Sequence, residues 1–164
     1  MSVTRDIVRS WRRPREVMRR HLAQGRREDR ALIFLIVACI IIFVGQWPRL
    51  SREAFFDPST PLDARLGGAL FGWLFVAPLA FYVIAALSHM VARLFGGRGS
   101  WFGARLALFW SLLAASPLWL LVGLVAGFIG PGIELSVTGA IALLAFLVIW
   151  ILSLVEAESG RDGG

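Results

Sequence analysis

The chain has no lysine; all 17 of its basic residues are arginine. A nucleotide-cradling P-loop needs a lysine after its glycines and a serine or threonine for magnesium. The glycine-rich stretch Gly96-Gly97-Arg98-Gly99-Ser100 is therefore excluded from that chemistry. The dinucleotide fingerprint is excluded as well, because Gly97 and Gly99 begin it but Phe102 stands where the third glycine belongs, and no βαβ pattern surrounds them. Cysteine is nearly absent, and Cys39 alone permits neither an internal disulfide nor a zinc site. Charge is also scarce, at 17% of residues, whereas 57% are apolar. That balance excludes an ordinary water-soluble domain of this length and makes the bilayer the expected solvent.

What is present is four apolar runs. Hydrocarbon roughly 30 Å thick calls for about 20 residues of helix. The runs predict an all-α polytopic membrane protein with spans over about 31–47, 66–87, 104–127 and 135–155, within a transmembrane domain covering 31–155. The first span is expected to end at Pro48, and the second to continue as helix toward Phe95. Pro131 and Gly132 predict a tight antiparallel hairpin between the last two, and residues 156–164 read as a short cytoplasmic tail. Cys39 follows a stretch resembling a lipoprotein box, but Ile40 to Val44 give it no polar tether, so acylation is not expected. The apolar run begins some 30 residues in without a small-residue cleavage site, so the first span is expected to stay in place.

Residues 1–30 hold 10 arginines and, with Asp6, Glu16, Glu28 and Asp29, a net charge of +6; the remainder is neutral. With the amino terminus inside, 14 arginines fall on the cytoplasmic side, Arg161 among them, against Arg49, Arg52 and Arg65 outside. That asymmetry predicts both termini in the cytoplasm and location in a cell inner membrane. The missing lysine, with abundant alanine, glycine and leucine, suggests a bacterial source. Pro14 divides the basic segment. Val3, Ile7, Val8 and Trp11 recur at helical spacing before it; Val17, Met18 and Leu22 share a face after it, opposite Arg15, Arg19, Arg20 and Arg27. The segment reads as an amphipathic interfacial helix with its apolar side toward the membrane. Because the charge adjoins apolar spans, the expected partners are anionic lipid headgroups and another membrane protein or a second copy, not nucleic acid. Candidate lipid- or partner-binding residues are Trp11 as apolar anchor with Arg12, Arg13, Arg15, Arg19 and Arg20, and secondarily Arg98 and Trp101.

No nucleophile, base and metal-ligand set stands together, so no enzymatic activity, cofactor or metal is expected. His89 lies near the inner end of the second span, within four residues of Arg93, where water or headgroups suffice as partners. Ser111 and Ser116 lack a base at comparable depth and are expected to bond helix backbone. Ser100 is placed to cap the third span. Pro78 and Pro117 fall mid-span and should kink their helices, which leaves a small permease or channel subunit as the alternative function. Gly68-x-x-x-Gly72, Gly123-x-x-x-Gly127 and Ala126-x-x-x-Gly130 offer faces for close helix approach within the bundle or to a partner.

SWRRPREVMRRHL around Pro14, GGRGSW between the second and third spans and Ser116-Pro117 within the third together resemble the bacterial branch of the Yip (Ypt-interacting protein) family. The resemblance implies a multi-spanning membrane protein with a cytoplasmic amino terminus, acting as membrane scaffold, adaptor or accessory subunit. The family commonly has five spans where four are read here. Its eukaryotic branch is associated with Rab-type GTPases, but Tyr82 is the sole tyrosine, so the tyrosine-containing motifs tied to that contact are missing and the association is not carried over.

Overall fold

The computed structural model describes residues 2–160; Arg161, assigned to the interior side, lies outside the described residues. All regular structure among them is helical: α1 (Val3–Ser10), α2 (Pro14–Leu22), α3 (Glu28–Phe56), α4 (Leu62–Phe71), α5 (Ala77–Leu94), α6 (Trp101–Phe128) and α7 (Ile133–Glu158). A π-helical turn, Gly72–Val76, joins α4 to α5. Four rods are thus long and apolar enough to cross a membrane: Glu28–Phe56, Leu62–Leu94, Trp101–Phe128 and Ile133–Glu158.

α6 is the central rod. Every residue from Phe102 to Ser116 except Arg105 is buried, on all sides of the helix. α3 runs parallel to it, because their contacts follow the same order along both chains: Glu28 with Arg105, Phe34 with Trp110, Gly45 with Gly123, Pro48 with Gly127. The two backbones approach closely. A Cβ on Gly123 would overlap the Gly45 carbonyl, and one on Gly127 would overlap Pro48. This is how the Gly123-x-x-x-Gly127 face is used, whereas Gly68 and Gly72 have nothing within 4 Å of where a Cβ would stand. α5 runs the other way, with Tyr82 against Phe109 and His89 against Trp101, and α7 folds back after Gly132.

The prolines are handled differently from the simple expectation. α3 does not end at Pro48 but continues to Phe56. The ring of Pro48 occupies the space left by Gly127, and the added turns bury Leu50 and bring Arg52 to the Gly127 carbonyl at 3.2 Å. Ahead of Pro78, the Ala77 amide bonds the Gly72 carbonyl five residues back, so a wider turn precedes the proline. At Pro117 the missing amide would have served the Leu113 carbonyl; the Ser116 hydroxyl donates to that oxygen instead, at 2.7 Å. One end of the bundle therefore gathers α1, α2, the glycine-rich loop and the last turn of α7. The opposite end carries the 57–61 turn and the 129–132 hairpin.

Candidate functional site

The arginine-rich end is built by two short helices folded onto the bundle. Pro14 opens α2 at a position where a missing amide costs nothing. Val17 and Met18 are fully buried, so the apolar stripe of α2 faces protein rather than lipid. This corrects the expectation that the apolar side of the helix after Pro14 lies on the membrane. The physical reason is Glu156. The carboxylate sits in the last turn of α7 and receives Arg15 at 3.3 Å and Arg19 at 2.8 Å, two arginines one helical turn apart. Glu156 is buried and its partners are half exposed, so the pair draws α2 against α7. Asp6 holds Arg20 at 3.0 Å, joining α1 to α2.

Beneath these ion pairs lies a polar and aromatic layer. The Trp110 indole donates to the Ser10 hydroxyl at 2.9 Å, and Ser10 in turn donates to the Asp6 carbonyl. The Trp11 indole donates to the Ala114 carbonyl at 3.2 Å. His21 packs its ring on Trp110 and Phe34, with Arg30 donating to Nδ1 at 3.1 Å. Burial, then the Arg30 charge, pushes the His21 imidazole down to about 4, so it is neutral at pH 7. An arginine always donates, which fixes Nδ1 as the acceptor.

A second cluster explains the glycine-rich loop. Ser100 caps α6 by accepting from the Gly103 amide at 3.1 Å. The Glu158 carboxylate accepts from the Gly99 amide at 3.0 Å and contacts His89 Nδ1 at 2.6 Å, while the Arg98 amide donates to the Glu158 carbonyl at 2.9 Å. A Cβ on Gly97 would strike Glu158, and one on Gly99 the Ala157 carbonyl. Gly96, at φ 87°, turns the chain into this position. The loop is therefore a latch on the α7 terminus. His89 is buried against a carboxylate rather than meeting water or headgroups.

Of the sequence-predicted residues, Arg15, Arg19 and Arg20 thus make internal ion pairs. Arg12 and Arg13 remain outward, and Arg13 pairs with Glu16 at 3.4 Å. Trp11 is partly exposed and bonded inward; Trp101 is partly exposed beside His89; Arg98 serves through its backbone. Sequence reading missed Glu156 and Glu158. Two acids ending an apolar run in a chain with ten arginines at its other end were the available signal. No three of His, Cys, Asp and Glu converge as metal ligands among the described residues.

No curated protein and no solved structure matches the chain. The Yip1 domain family model matches residues 8–160, a range that takes in the α1–α2 turn, all four long rods and both carboxylates of the α7 terminus. This chain, a multi-pass membrane protein, belongs to the Yip1 domain family.

Proposed function

We propose that the protein is a non-enzymatic inner-membrane adaptor or accessory subunit, with both termini cytoplasmic, that meets anionic lipids through its arginine-rich end and other membrane proteins through its open helix faces. The observation that carries this reading is the clamp of Arg15 and Arg19 on Glu156. It makes the basic segment part of the folded body, so the remaining arginines are held at fixed positions around one end. The arginine distribution supports placing that end in the cytoplasm. Along α4 and the π-helical turn after it, the Gly68 and Gly72 face is unoccupied among the described residues and suits close approach by a partner helix.

Purification in gentle detergent tests the reading. A membrane protein should co-purify in fixed proportion and be lost when Gly68 and Gly72 are both replaced by leucine, with the chain still folded; retention in that variant discards the adaptor face. The mid-span prolines Pro78 and Pro117, each beside an altered hydrogen-bonding pattern, favour the permease reading in turn. Solute flux in reconstituted vesicles that changes with Pro117→Ala would replace the adaptor with a permease.

A further inference from the structure

The α1–α2 turn docks far down the bundle. Trp11 bonds the carbonyl of Ala114, which lies at the middle of α6. The apolar stretch of α6 runs from Leu106 to Phe128. At 1.5 Å per residue, the bond lies only about 5 Å along the axis from the centre of that stretch. Hydrocarbon reaches roughly 15 Å either side of a bilayer's centre. The turn and its arginines are thus well below the plane where lipid phosphates ordinarily lie. Arginine among acyl chains is costly unless phosphate or water comes to it.

The surface at this turn has the chemistry to bring phosphate there. Arg9, Arg12, Arg13 and Glu16 line a cleft of about 770 Å³ whose apolar wall includes Trp11 and Pro117. Arg9 and Arg12 make no ion pair among the described residues, and Glu16 offsets one charge of three. α6 emerges from its sheath of helices at this level: Ser116 is buried, Pro117 exposed. Leu121, Leu124 and Phe128 continue an exposed stripe below it. From Pro117 to Phe128 is about 16 Å, close to the roughly 15 Å of one hydrocarbon leaflet. On the α7 flank, by contrast, exposed apolar residues run from Ile133 to Val155, about 33 Å.

We propose that the cleft binds the phosphate of one anionic phospholipid drawn down from the arginine-rich side, with an acyl chain on the Pro117, Leu121, Leu124 and Phe128 stripe, so that the bilayer is thinned along this flank. The site rests on the orientation and lipid contact proposed above. It adds which arginines bind and at what depth: Arg9, Arg12 and Arg13 take lipid, whereas Arg15, Arg19 and Arg20 hold the helices that position them. The Trp11 bond to α6 fixes the turn before lipid arrives, which limits the ordering needed on binding.

The test uses the full chain in vesicles of equal phosphatidylglycerol and phosphatidylcholine with matched acyl chains. Lipid retained through gentle extraction should be enriched in phosphatidylglycerol. The combined Arg9→Gln, Arg12→Gln, Arg13→Gln variant should lose at least about tenfold of that enrichment, and Arg5→Gln, exposed but outside the cleft, should keep it. Depth is read separately in a Cys39→Ala background, with fluorophores at Leu121→Cys and Ile141→Cys. Both positions are exposed and about equally far from the 129–132 hairpin. Lipid carrying a quencher on its headgroup should quench the first more strongly than the second, and the triple arginine variant should remove the difference. Equal quenching, undiminished enrichment in the triple variant, or displacement of the lipid by free glycerol phosphate overturns the site. Partner protein that still co-purifies in that event leaves the adaptor reading standing, so the two failures are distinct.

Discussion

His21 accepts a hydrogen bond from Arg30 through Nδ1 and is buried against Trp110 and Phe34, an environment that tolerates only the neutral ring. Its folded value of about 4 lies below the ordinary 6.5. Above pH 6.5 the ring is neutral whether α2 is docked or not, and docking is unaffected. As pH falls from 6.5 toward 4 the undocked form takes up the proton first, and docking weakens by about 1.4 kcal/mol per unit, some 3 kcal/mol in all. The melting temperature in detergent should therefore fall between pH 6.5 and 4.5 by more in the wild type than in His21→Asn, which cannot titrate; parallel curves would remove His21 from the account. Sequence showed a histidine on a basic helix. It did not show the Trp110, Phe34 and Arg30 side chains that suppress its charge, because those come from two other helices.

Among elements, α2 carries the sharpest consequence. It is nine residues long, too short to be stable alone, and it persists because Val17 and Met18 are buried and Glu156 holds two of its arginines. Removing one partner of a fully buried ion pair costs about 3–5 kcal/mol. Here Arg15 and Arg19 are half exposed and can return to water, so the loss should be well below that. Glu156→Ala should accordingly speed tryptic cleavage after Arg15, Arg19 and Arg20 by about tenfold, while Glu134→Ala, at the other end of α7, leaves it unchanged. Equal rates in the two variants would show that apolar packing alone holds α2. The helical character of this segment was legible from Pro14 and the Val17, Met18, Leu22 spacing. The object its apolar face meets was not, since an amphipathic stripe reads the same toward lipid and toward protein.

For the whole molecule, α3 and α6 run parallel while α4–α5 and α7 return, so the four long rods have their turns at two opposite ends. Arginine asymmetry then predicts which end faces inward. In intact cells, Ser59→Cys and Pro131→Cys should react with a membrane-impermeant reagent, and Gln24→Cys only after permeabilisation. Labelling of Gln24→Cys from outside would invert the topology. The apolar runs were enough to determine an all-helical chain with four rods of membrane-crossing length, because each such rod satisfies its own backbone and needs no distant residue. Ser100 as a cap and the hairpin at Pro131-Gly132 were local for the same reason. Only the tertiary structure decided that α3 passes through Pro48, that Glu156 and Glu158 latch α2 and the glycine-rich loop, and that Trp11 sits halfway down α6. Each of these depends on residues 59 or more positions apart meeting in space, and no local pattern of residues encodes such a meeting.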